Sequence, residues 1–104
     1  MTLPIKFIID SIIQRMSSDG IGIYVLHSGD YDRGDLYVKT YGSNKKFIIH
    51  HRVYSYAEDN YIWNEEHFSI ESDADDKLRT YINRDRDCWT IEIETTENPF
   101  KDIF

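Results

Sequence analysis

IGIYVLHSGDYDRGDLYVKTY, residues 21–41, sets two alternating apolar runs on either side of a link rich in glycine and aspartate. Apolar side chains at every second position mark strands, because successive residues of a strand point to opposite faces. Two strands joined by a turn-rich link predict a β-hairpin. Gly29 and Gly34 supply backbone freedom, and Asp30 and Asp32 can fold onto their own backbone amides. Alternation then sorts the faces. Ile21, Ile23, Val25, Leu36 and Val38 turn to the core, while Tyr24, Tyr37, Lys39 and Tyr41 take the other side. An outward Lys39 carries a consequence: Lys39→Ala should leave folding intact.

Upstream, Ile5, Ile8, Ile9, Ile12, Ile13 and Met16 recur at helical spacing and form one apolar stripe. Pro4 suits a first turn, where a missing N–H costs nothing, and Asp19-Gly20 ends the pattern. Burying those side chains is worth roughly 1.5–3 kcal/mol each before entropy. The helix therefore docks on the domain or pairs with a second copy. Downstream, KFIIHHRVYSY (46–56) and NYIWNEEHFSI (60–70) read as two further strands. The short links GSNK and AED favour antiparallel neighbours. SDADDKLRTYINRDRD (72–87) reads as a second helix capped by Ser72, with Asp73, Asp75 and Asp76 early and Arg84 and Arg86 late, as the helix dipole prefers. Its apolar face is Ala74, Leu78, Tyr81 and Ile82. CWTIEIET (88–95) is a fifth strand with Trp89, Ile91 and Ile93 inward and Thr90, Glu92 and Glu94 outward. Asn98-Pro99 breaks it, leaving a tail that ends in Phe104. The expected fold is a single α+β domain over residues 1–104, order α-β-β-β-β-α-β, a mostly antiparallel sheet packed by two helices on one side.

Composition narrows the function classes. The net charge of −7 disfavours a nucleic-acid binder, whose affinity comes from neutralising phosphates. That charge is uneven: residues 1–57 hold 7 basic and 5 acidic side chains (+2), residues 58–104 hold 5 and 14 (−9). An anionic ligand would favour the first half. One cysteine, Cys88, excludes an internal disulfide and fits a reducing compartment. MTLPIKFIIDSIIQRM is too interrupted by Lys6 and Asp10 for a signal peptide or membrane span. The expected location is cytoplasmic, which also sets aside Arg33-Gly34-Asp35 as an adhesion signal.

A calcium loop from Asp30 fails, because Gly34 and Asp35 fall in the wrong order and Tyr41 stands where Glu is needed. Zinc would draw on His27, His50, His51, His67 and Cys88, but adjacent strand residues His50 and His51 face opposite sides, and no H-E-x-x-H or paired C-x-x-C occurs. Cys88 at a helix–strand junction reads as a small packing residue rather than a nucleophile. Glu65, Glu66, Glu92 and Glu94 read as a solvated acidic face, and no phosphate-binding glycine loop is present. No catalytic residue, metal or cofactor is expected. One surface remains suggestive: Tyr37, Lys39 and Tyr41, joined by Arg52 if His50, Arg52 and Tyr54 share their face, would set rings beside cations as ligand-binding sheets do. The bland alternative is that these tyrosines pack under a helix or at a subunit contact.

Two blocks resemble a known family. SGDYDRGDLYVK is similar to the R-G-D-x-D-A-G-x-[IV]-x-[IV]-K segment of domain-of-unknown-function family 1491. INRDRDCWTIEIET is similar to its R-x-x-x-D-P-D-L-W-[IV]-[IV]-E-[IV]-E-D segment. The positions that carry the likeness are Asp30, Gly34, Lys39, Asp85, Asp87, Trp89, Glu92 and Glu94. Arg86, Cys88 and Thr95 depart from the pattern. The resemblance implies a cytoplasmic, alphaproteobacterial protein and supplies no catalytic residues.

These readings lead to a small cytosolic binding or interaction module without catalysis, whose partner is a protein or small molecule and which can self-associate. An enzyme acting on a nucleotide-like or acyl substrate, with Lys39, His50 or Glu92 in its pocket, is the alternative. An RNA-binding sheet face is a further alternative, disfavoured by charge.

Overall fold

The structure, a computed structural model, describes residues 3–42 and 46–101. Seven elements follow in the expected order: α1 (Ile5–Ser18), β1 (Ile23–His27), β2 (Leu36–Gly42), β3 (Lys46–Ser55), β4 (Asn60–Phe68), α2 (Glu71–Arg84) and β5 (Trp89–Ile93). Of the GSNK link (42–45), Gly42 ends β2 and positions 43–45 lie outside the described residues, as does the tail end at Phe104.

The five strands form one sheet in the order β1-β5-β2-β3-β4. Here the hairpin expectation fails. β1 does not pair with β2, because β5 lies between them, antiparallel to β1 and parallel to β2. The link 28–35 is therefore a crossing over the start of β5, and its glycines serve that approach. Asp30 N–H donates to the Asp87 carbonyl at 2.9 Å, Trp89 N–H donates to Asp35 O at 2.8 Å, and the Trp89 indole donates to Asp30 O at 2.7 Å. The remaining neighbours, β2–β3 and β3–β4, pair antiparallel as expected.

The helices cover opposite faces of the sheet, not one. Ile5, Ile9, Ile12 and Met16 of α1 pack on Leu36, Val38, Trp89, Ile91 and Ile93, with Ile8, Ile13, Ile21 and Ile23 at the margin. That is the core face read from alternation, except for Val25: expected inward, it lies on the edge strand β1 and stays 40% exposed. Phe100, beyond the Asn98-Pro99 break, also lies fully buried on the α1 face. On the other face Ala74 and Leu78 of α2 cover Tyr37, Ile49 and Cys88, flanked by Phe47, Phe68, Tyr81 and Ile82. The helix starts one residue before the expected cap: Ile70 holds the N-cap position and Ser72 does not cap. Glu71 and Asp73 in the first turn and Arg84 in the last keep the charge order the dipole favours. Among the described residues no helix is long and apolar enough to cross a membrane.

Candidate functional site

Lys39 sits mid-strand in β2 with its side chain on the α2 face. Register sets Glu92 of β5 directly beside it. Glu71 and Asp75, four apart at the start of α2, bring two more carboxylates down from above. The Lys39 ammonium meets Glu71 Oε2 at 2.7 Å, Asp75 Oδ1 at 2.7 Å and Glu92 Oε1 at 3.0 Å. The rings of Tyr41 and Phe47 lie 5.5 and 5.7 Å from it. Lys39 is 1% exposed, so the outward, dispensable residue expected from alternation is an interior cation. Its face was assigned correctly; the cover supplied by α2 was not foreseen.

Burial alone would lower the affinity of Lys39 for its proton, but hydrogen bonds to Asp75, Glu71 and Glu92 outweigh it and lift the group above its ordinary range. Burial, then the nearby Asp35 carboxylate, raises the Tyr37 phenol; burial, then a hydrogen bond to Glu92, raises Tyr41. Tyr81 is pushed up to about 12 by burial and its hydrogen bond to Glu66. All four groups hold their protons more tightly folded than unfolded. The stability they contribute is intact below their ordinary values near pH 10, and it drains as pH rises through the folded values. The loss runs at up to about 1.4 kcal/mol per pH unit for each group, less for the partly exposed Tyr41 and Tyr81. Circular dichroism should therefore show stability insensitive to these groups from pH 7 to 9 and cooperative unfolding as pH climbs beyond about 10. A chain that stays folded through pH 12 would contradict this protonation pattern.

Tyr37 is the middle ring of a stack: Tyr81 lies 4.5 Å from it at 9° and His51 lies 4.1 Å away at 18°. His51 in turn meets Asp35 at 3.2 Å. Arg52 does not join this group. Register pairs Tyr37 with His51 and Val38 with His50, so His50, Arg52 and Tyr54 take the α1 face, and the Arg52 guanidinium rests 3.7 Å from the Tyr61 ring centre. Of the four candidate ligand residues, Tyr37, Lys39 and Tyr41 share a face and Arg52 lies across the sheet from them.

The eight family-like positions fall into two groups. Asp30, Gly34, Asp85, Asp87 and Trp89 build the crossing. Asp30 Oδ2 accepts from the backbone N–H of Asp32 and Arg33, Asp85 Oδ1 accepts from Asp87 N–H, and Gly34 abuts the Asp87 carbonyl. Lys39 and Glu92 belong to the ionic cluster, with Glu94 beside it. Sequence reasoning missed Glu71 and Asp75 as partners of Lys39. The available signal was an acidic pair four apart opening a helix, set against a lone lysine inside an apolar strand.

Next to the cluster an open cleft of about 440 Å³ is lined by Tyr41, Glu71, Glu94, Thr95 and Thr96. The Tyr41 N–H donates to Thr95 O at 2.9 Å and fixes the β2 side of the cleft. Carboxylate oxygens of Glu71, Asp75 and Glu92 lie within 4.8 Å of one another, a spacing that suits a metal ion. The Lys39 ammonium already fills their centre, so the trio is an internal ion-pair network.

The same fold recurs in solved structures. A crystal structure of a DUF1491 family protein from Caulobacter crescentus CB15 superposes with a TM-score of 0.78 at 20% identity, covering 92% of this chain and 91% of that one. An NMR structure of a DUF1491 family protein from the same organism gives 0.78 at 21%, covering 93% and 89%. The solution structure of protein Atu0922 from A. tumefaciens gives 0.69 at 19%, covering 97% and 92%. No curated protein matches the chain. The family described as "Protein of unknown function (DUF1491)" matches residues 3–100, and the chain belongs to that family.

Proposed function

We propose that this chain is a small cytoplasmic binding module that works without catalysis and takes its ligand in the cleft beside Tyr41. The observation that carries this reading is the state of Lys39. A Schiff-base or general-base lysine needs a free amine near neutral pH, whereas Lys39 is held as a buried cation by three carboxylates. Cys88 supports the same reading, being fully buried with its thiol pushed up by desolvation, the opposite of an activated nucleophile. The cytoplasmic part rests on that reduced, enclosed thiol.

The cleft offers one aromatic face, two threonines and the carboxylates of Glu71 and Glu94. This lining favours a ligand bearing an ammonium or guanidinium group over a nucleotide. Thermal-shift measurements on arginine, polyamine, nucleotide and acyl-phosphate panels test it. The amines should raise the melting temperature, more at low salt, and Glu94→Gln should abolish the gain. Stabilisation confined to nucleotides, or turnover of any panel member, would favour the enzyme reading instead.

Self-association belongs to the same proposal, through a different surface from the helix stripes, which are docked on the sheet. β1 is an edge strand without charged residues, and Tyr24, Val25 and Leu26 are exposed on it. The opposite edge, β4, carries Glu65 and Glu66, which would face like charges across a two-fold. Light scattering after size exclusion should give twice 12.4 kDa, falling to the monomer mass in Val25→Lys. A wild-type monomer at all concentrations removes self-association.

A further inference from the structure

We propose that the cleft beside Tyr41 takes an unbranched aliphatic diamine or polyamine, with one ammonium against Glu71 and another against Glu94. This rests on the reading of the cleft as a cation site and names the class of cation. The two carboxylates that line the cleft come from different elements. Glu71 belongs to the first turn of α2, and Glu94 follows the last residue of β5. Three carboxylates face the Lys39 ammonium, so that network keeps a formal charge of −2. Glu71 is its most exposed member, 45% at the side chain, and gives Oε2 to Lys39. A carboxylate offers about four lone-pair sites, so Glu71 can hold Lys39 and a ligand ammonium together.

The second carboxylate is set in place by Gly22. Glu94 N–H donates to Gly22 O at 2.8 Å, and the Glu94 side chain folds over the glycine. A methyl group on Gly22 would stand 2.7 Å from Glu94 Cδ and 3.0 Å from the Tyr24 hydroxyl. The carboxyl group and the phenol therefore occupy the space that a side chain at position 22 would fill. Tyr24 lies opposite Glu92 in register, so its ring stands on the same side of the sheet as the ionic network. Gly22 and Tyr24 are thus positioning residues for Glu94. The rest of the lining is the Tyr41 ring with Thr95 and Thr96, which suits the apolar stem of a diamine. Joining two ammonium groups by that stem makes the second contact intramolecular, an advantage a monoamine lacks.

Calorimetry on the full chain at low salt, with putrescine, spermidine and butylamine as probes, tests the proposal. The two polyvalent amines should bind roughly tenfold tighter than butylamine or better, and the preference should fade as salt rises. Gly22→Ala displaces only the flexible ends of Glu94 and Tyr24. It should keep the wild-type melting temperature and lose the preference for the diamine. Glu71→Gln, at a partly exposed position, should lose the preference in the same way. Equal affinity of the wild type for putrescine and butylamine, or a preference left intact in both variants, would overturn the diamine assignment while leaving the cleft a simple cation site. Binding of none of the three amines would remove the cation reading of the cleft and this proposal with it.

Discussion

Lys39→Ala is expected to cost the fold on the order of 3 kcal/mol. Removing one member of a buried ion pair leaves the others uncompensated, which ordinarily costs about 3–5 kcal/mol. The lower end applies because Glu71, Asp75 and Glu92 keep 45%, 38% and 19% of their side-chain surface exposed and recover some hydration. The buried lysine stem adds a packing loss. For a domain of this size about 3 kcal/mol corresponds to a melting point lower by roughly 10–20 °C. Urea unfolding followed by circular dichroism measures it. Lys39→Met separates the contributions: it restores much of the stem volume but not the charge, so it should recover less than half the loss. Glu71→Gln, at the most exposed partner, should cost well under 1 kcal/mol. Wild-type stability in Lys39→Ala would mean that α2 does not close over this face.

The second large effect lies at the crossing. A methyl group on Gly29 would stand 2.1 Å from the Asp87 carbonyl oxygen and 2.5 Å from that of Cys88. Both are backbone atoms and cannot swing aside. Gly29→Ala should therefore cost about 2–3 kcal/mol through forced displacement of the crossing. Gly34→Ala, with a single close contact to Asp87 O at 2.4 Å, should follow slightly behind. Gly20→Ala is the control. It meets open space, and its φ of 74° limits the expected loss to about 1 kcal/mol. If residues 28–35 were a hairpin turn, as the sequence suggests, Gly29→Ala would cost no more than Gly20→Ala.

That contrast marks where sequence reading stops. Alternation identified all five strands and the faces of β2 and β5, because a residue's side of a strand depends only on its position. It could not name neighbours. β5 holds 5 residues, four of them buried, a pattern that marks an inner strand without saying which strands flank it. The insertion of β5 between β1 and β2 depends on backbone pairing across the chain, for which the glycine-aspartate link was the visible trace. The position of Arg52 failed for a related reason: it depends on the β2–β3 register, which pairs Val38 with His50, and a one-residue difference moves every side chain of β3 to the other face. For the candidate site, the lysine, the aromatics and Glu92 were legible. Glu71 and Asp75 were not tied to Lys39, because their helical positions equally serve the helix dipole.

Lys39 is sealed beneath α2, 1% exposed, which confines ligands to the cleft at the rim. Amine labelling of the native chain, read by peptide mass spectrometry, tests that directly. Lys6 and Lys101, both at the surface, should acylate quickly, while Lys39 should stay unmodified until the chain is unfolded. Acylation of Lys39 at the rate of Lys6 in the folded protein would contradict the account.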